Sequence, residues 1–86
     1  MSLPVFNSVD EVCEALRSSI VAAIPDARVE VVPGSPGHFE LQVTSKAFEG
    51  ESMVKQQQRV YAAIKDLMHG DAAPVHAIDQ LRTLSG

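Results

Sequence analysis

The chain has 86 residues, 45% of them hydrophobic, one cysteine and a formal net charge of −4. That length predicts a single domain with one core, no apolar run approaches the ~20 residues that span a bilayer, and a lone cysteine closes no internal disulfide. Seven Lys and Arg stand against eleven Asp and Glu, which argues against a general nucleic-acid binder, since such binding needs a basic surface to release counterions from phosphate.

The first residues, MSLPVFNSVDE, lack a positive stretch followed by a long apolar run. A signal peptide is therefore not expected, and the unpaired cysteine fits a reducing compartment. Residues 1–7 read as a flexible lead and residues 85–86 as a tail.

Residues 8–24 read as the first helix. Ser8 and Glu11 form a capping-box pattern. Val12, Leu16, Ile20 and Ala23 recur at helical spacing, and Pro25 stops the helix at Ile24. Cys13 falls inside this helix, where a small apolar contact is the plain reading. Residues 28–32 form a short strand with Val29 and Val31 on one face. Pro33-Gly34-Ser35-Pro36-Gly37 is a loop by composition. In residues 38–45, Phe39, Leu41 and Val43 alternate with Glu40, Gln42 and Thr44, as in a strand with one face on the core. The short loop makes the two strands an antiparallel hairpin.

The strongest helix follows. Phe48 is expected to plug the core beside the strand end, Ser52 to cap the helix and Gly70 to end it. Met53, Val54, Val60, Tyr61, Ile64, Leu67 and Met68 supply its apolar side. In the Gln56-Gln57-Gln58 run, Gln57 is expected at the buried edge. Residues 75–84 read as a third strand with broken alternation: Ile78, Leu81 and Leu84 are spaced by threes, which a β-bulge or a short strand with an irregular end would explain.

The order α-β-β-α-β predicts an α+β two-layer sandwich, two helices covering one face of a three-stranded mixed sheet. A helical crossover makes strands two and three parallel. Their starting ends carry His38 and His76. Strands ~4.8 Å apart would let two such imidazoles approach one ion or cluster. On spacing alone each is either a partly exposed strand-start residue or a metal ligand, because neutral imidazole is a good donor to iron or zinc. His69, in the last turn of the long helix, suits the helix dipole instead. No phosphate-binding glycine loop, paired-cysteine zinc motif or nucleophile elbow is present, so no enzyme activity is expected.

Taken together, Ile24-Pro25-Asp26-Ala27, His38-Phe39-Glu40-Leu41, Phe48-x-Gly50, the Val60-Tyr61 helix and Val75-His76-Ala77-Ile78 resemble the BolA family over residues 9–84. The resemblance implies a class II KH-like fold. It also implies a cytosolic (cytoplasmic) or organellar role in iron–sulfur cluster handling, in partnership with a monothiol glutaredoxin, a [2Fe-2S] cluster being shared with the partner's cysteine and with bound glutathione. The histidine of the Val-His-Ala motif, here His76, would be this chain's ligand. A second family ligand, His or Cys, comes from the loop before strand two. Residues 34–37 hold neither, which leaves His38. Gln56-Gln57-Gln58 stands where many members have Arg-His-Arg, and Lys55-Gln56-Gln57-Gln58 is nearer a Lys-Gln-Gln version found in a bacterial subgroup linked to acid stress. The stretch from Asp79 to Gly86 departs from the family's tail.

Two functions follow. One is an adaptor in iron–sulfur trafficking, or in iron or stress sensing, with a homodimer left open and no membrane partner. The other is a KH-like nucleic-acid-binding transcriptional regulator using Lys46, Lys55, Arg59 and Lys65 around the Gly50 turn. KH domains clamp backbone with a GxxG loop. Gly50-Glu51-Ser52-Met53 lacks the second glycine and adds an acid, so this reading is the less favoured.

Overall fold

Two helices lie on one face of a three-stranded sheet, and each begins at a serine that caps it. The computed structural model describes residues 8–86. The flexible lead expected over residues 1–7 lies outside them. Helix α1 spans Val9–Ala23 and α2 spans Met53–Met68. The Ser8 hydroxyl accepts the Glu11 N–H at 3.2 Å, and Ser52 accepts that of Lys55 at 3.2 Å. Each bond satisfies one backbone donor that has no partner within the first turn. Helix α1 buries Val12, Leu16 and Ile20, spaced by fours, and closes with the Ile24 N–H on the Ile20 carbonyl at 2.8 Å. Helix α2 ends with His69 as its cap and Gly70 left-handed at φ +93°. Among the described residues no helix is long and apolar enough to cross a membrane.

Strand β1 (Arg28–Pro33) pairs antiparallel with β2 (His38–Thr44), and β2 pairs parallel with β3 (Ala77–Leu84). The central strand supplies Phe39, Leu41 and Val43 to the core, with Glu40 exposed on the other side. They meet α1 residues Leu16 and Ile20, α2 residues Val60 and Ile64, and Phe48. Phe48 sits in a single 3₁₀ turn, Lys46–Phe48, and is fully buried. Burial of each such side chain contributes roughly 1.5–3 kcal/mol. The third strand starts at Ala77, two residues later than its apolar pattern suggests. Val75 is instead fully buried in front of it, its N–H donating to the Leu67 carbonyl at 3.1 Å.

The sheet of β2 and β3 contains a bulge. Phe39 is opposite Ile78, but Glu40 is opposite Gln80, so Asp79 is the extra residue. The bulge accounts for the three-residue spacing of Ile78 and Leu81. It returns Leu81 to the side of Leu41, and Thr83 to that of Val43.

Helix α2 is rotated from the expected placement. The side that meets the sheet runs through Gln56, Val60, Ala63, Ile64 and Leu67. Met53, Val54 and Tyr61, expected on the apolar side, are exposed. In the glutamine run Gln56 and Gln57 are both half-buried: Gln57, expected at the buried edge, donates its amide N–H to the Leu81 carbonyl at 3.4 Å, and Gln56 makes the larger set of bonds. Its amide N–H donates to the carbonyls of Glu51 at 2.9 Å and Phe48 at 3.2 Å. Its carbonyl accepts the hydroxyl of Thr83, itself buried, at 2.7 Å. One side chain thereby joins the turn before α2, the helix and β3. Replacing Gln56 by Ala takes the amide from the Glu51 and Phe48 carbonyls and leaves the buried Thr83 hydroxyl with the weakly accepting sulfur of Met53, at 3.3 Å. It should cost about 1–3 kcal/mol in urea unfolding, and Thr83→Val in the same background should recover part of that loss.

A second tie holds the Ile24-Pro25-Asp26 turn to the end of β2. Asp26 accepts the Ser45 hydroxyl at 2.6 Å and the Lys46 N–H at 2.9 Å. The Ser45 bond first, then the backbone bond from Lys46, holds the Asp26 carboxyl below the usual carboxylate range. A carboxyl lowered by folding stabilises the fold above its unfolded pKa, and that contribution fades as pH falls through the lowered value. Asp26→Asn should therefore reduce the melting temperature near neutral pH. The gap from the unaltered chain should close in acid, as measured by thermal melts across a pH series.

Candidate metal centre

The starting ends of β2 and β3 converge on the carbonyl of Gly37. It accepts the N–H of His76 at 2.8 Å and that of Ala77 at 3.1 Å. His38 is in register with Ala77, the first residue of β3, so His76 lies immediately before the neighbouring strand. The residues thus emerge at the same sheet edge, as the parallel crossover required. His76 is exposed, and the His38 side chain retains 39% of its accessible surface. Neither imidazole is sealed in the core.

The loop before β2 is closed by the Gly34 N–H on the His38 carbonyl and the His38 N–H on the Ser35 carbonyl, both at 2.8 Å. It ends at Gly37, whose φ is +81°. A Cβ there would lie 2.6 Å from His76 Nδ1 and 2.7 Å from its Cγ. Gly37 is required twice: for a left-handed backbone, and to leave room for the His76 ring. The two rings are held differently. That of His76 rests over Gly37, whereas Nδ1 of His38 is 2.9 Å from Oδ1 of Asp79, the bulge residue. Sequence reasoning missed both supports. The signals were the glycine ending the loop and the broken alternation after Ile78.

Other candidate residues lie apart from this rim. His69 caps the far end of α2 and lines a shallow cleft with Lys65 and Asp66. Cys13 is half-buried on α1 and packs on the core. Burial, with the Asp10 charge adding to it, pushes its thiol pKa up. A thiol held protonated is a poor nucleophile and a poor ligand. Among the described residues no group of three or more His, Cys, Asp or Glu could hold a metal ion. The two rim imidazoles are donors without a shell of their own.

Of the four basic residues in the nucleic-acid alternative, Lys46, Lys55 and Lys65 are exposed. Arg59 is committed within the fold. It donates to Glu51 at 2.9 Å and to the Ala47 carbonyl at 3.3 Å, and its guanidinium lies 6.0 Å over the Phe48 ring. It braces the turn before α2.

Gly37→Ala should cost about 1–2 kcal/mol from the left-handed backbone alone, and more once the His76 ring is displaced. Urea unfolding reads the first effect. Movement of the His76 ring resonances, with those of His69 unchanged, reads the second.

Comparison with known proteins agrees with this architecture. The family model described as "BolA: BolA-like protein" matches residues 14–85. A protein of Acinetobacter guillouiae, described as "Uncharacterized protein in rpoN-murA intergenic region", is 38% identical over 65 residues, 76% of this chain and 75% of the relative. The solution structure of BolA1 from Mus musculus matches with a TM-score of 0.65 at 26% identity, covering 96% of this chain and 75% of that one. The BolA domain of SufE1 from Arabidopsis thaliana gives a TM-score of 0.70 at 22% identity, over 88% of this chain and 95% of that one, a likeness of fold alone. With the family match spanning most of its length and the α-β-β-α-β order in place, the chain belongs to the BolA-like family.

Proposed function

We propose that this chain is a non-enzymatic adaptor that binds a monothiol glutaredoxin and co-ligates a [2Fe-2S] cluster with it, in the cytoplasm, for iron–sulfur trafficking or for iron and stress sensing. The observation that carries the reading is the exposed His76 ring, seated on Gly37 at the sheet edge where His38 also emerges. The donor chemistry fits. Imidazole is a good iron ligand, and a mixed imidazole and thiolate set is an established way to hold such a cluster at a raised potential. Two imidazoles are too few for two irons, so the remaining thiolates come from the glutaredoxin cysteine and glutathione. When bound, the cluster supplies a redox-responsive and transferable iron–sulfur unit. This chain's own part is to present His76 as the principal ligand and His38 as the second.

The nucleic-acid reading has less support. Arg59 is engaged with Glu51, and that acid lies in the turn a phosphate backbone would approach. Electrostatic binding through the three exposed lysines would fall steeply with salt.

The test is to mix the chain with cluster-bearing, glutathione-loaded monothiol glutaredoxin and record visible circular dichroism. A new heterocomplex spectrum should appear with the unaltered chain and be lost with His76→Ala. An unchanged spectrum for that variant removes the assignment. In a parallel titration against single-stranded DNA, micromolar binding with a steep salt slope would favour the alternative.

A further inference from the structure

We propose that Asp79 is a positioning residue for His38, and that the β3 bulge places its carboxylate so that His38 offers Nε2 as the ligating nitrogen. The inference rests on the ligand role proposed above for His38. Its structural part stands on the juxtaposition of residues 38 and 79 alone.

In a regular parallel ladder Asp79 would follow Ile78 and come opposite Glu40. Two carboxylates on neighbouring positions of one sheet face repel. Gln80 would then face the core opposite Leu41, and Leu81 would turn to solvent. The bulge removes all three conflicts, because Gln80 takes the place opposite Glu40 and Leu81 the place opposite Leu41. The residue left over is Asp79. Freed from the ladder, its Oδ1 reaches Nδ1 of His38 at 2.9 Å, although the residues are 41 apart in sequence. Bulges re-aim a side chain in this way.

A carboxylate only accepts, so this contact puts the imidazole proton on Nδ1. Nε2 then carries the lone pair. The bond also restricts rotation of a ring that otherwise stands at an exposed strand start. A carboxylate that takes the second ring N–H fixes both tautomer and orientation and makes the ligating nitrogen more basic. Loss of such a partner typically costs 10–100-fold in metal affinity. His76 is held by another device, the close approach of its ring to Gly37. The two imidazoles of the rim are thus oriented independently, one by a carboxylate and one by packing. Asp79 is itself exposed and belongs to neither the core nor any ladder pair. Its side chain can therefore be replaced without removing a core contact or a ladder pair.

Two measurements test this. In the free chain, two-bond ¹H–¹⁵N spectra of the imidazoles report the tautomer. The neutral form of His38 should carry its proton on Nδ1 in the unaltered chain. In Asp79→Ala it should revert to the Nε2–H form that an unconstrained histidine side chain prefers, while His69 and His76 do not change. In the cluster-bearing complex with the glutaredoxin, Asp79→Ala should shorten the lifetime of the heterocomplex roughly tenfold or more. The same change made in a His38→Ala background should add nothing, because a positioning residue acts only through the residue it positions. Asp79→Asn is a second variant in case the alanine disturbs the bulge; its side-chain carbonyl can still accept, so it should retain part of the effect. A His38 proton on Nε2 in the unaltered chain overturns the inference. So does an Asp79→Ala loss that persists undiminished without His38. If the unaltered chain forms no cluster complex at all, the proposed function fails and takes the ligand role of His38 with it, while the tautomer measurement separately decides the pairing.

Discussion

The structure depends on the parallel pairing of β2 and β3, and that pairing depends on one residue being left out of it. Strand β2 is central and regular, with Phe39, Leu41 and Val43 all facing the helices. Strand β3 must present its apolar residues to the same side. Its sequence does not alternate, because two polar residues separate Ile78 from Leu81. Skipping Asp79 restores the period, since side chains change face with every residue. Leu81 and Thr83 then reach the helical layer, where Thr83 meets Gln56. Without the skip every position beyond Ile78 would face the wrong way.

Parallel strands need a crossover, and α2 is that crossover. Its placement is fixed at both ends by hydrogen bonds to backbone groups of the flanking segments. At the start, Gln56 takes hold of the Phe48 and Glu51 carbonyls while Arg59 spans Glu51 and the Phe48 ring. At the finish, the Val75 N–H reaches back to Leu67. These anchors set the rotation of the helix. Polar Gln56 is consequently drawn toward the sheet and apolar Val54 and Tyr61 are left outside. Apolar periodicity alone gives the opposite placement for these residues. It records how many apolar residues a helix carries but not which polar one has a partner to bury against.

Much of the remainder was legible in the sequence for definite reasons. Ser8, Ser52, Pro25 and Gly70 mark helix ends because backbone chemistry at a helix terminus admits few residue types. The alternation in β2 is clean because one face of that strand is buried along its whole length. The broken spacing after Ile78 called for a bulge or an irregular strand end, since no regular strand satisfies it, and the paired sheet selects the bulge. What the bulge does was not legible. The approach of Asp79 to His38 joins residues far apart in the chain, and no local pattern encodes which way a released side chain turns. The role of Gly37 was hidden for a similar reason. A glycine that ends a loop looks like a turn residue, and its second constraint, the ring of His76 across the strand gap, exists only once the sheet is paired.

In the proposed reading, the same strand ends explain how so small a chain takes part in metal chemistry without a complete ligand shell among its described residues. A complete shell would draw several ligands toward one point, and among the described residues no such group forms. The edge instead leaves two imidazoles in the open, supported from behind by a glycine carbonyl, a glycine Cα and a bulged aspartate. Supports of this kind consume no ligating nitrogen: Gly37 leaves the His76 ring intact above it, and Asp79 engages only one ring nitrogen of His38. In the proposed reading, preorganisation of this sort reduces the ordering cost of binding. It also makes binding conditional, because the chain's own donors are too few. A cluster held here would stay only while the second protein supplies its thiolates, so retention and association would be one event.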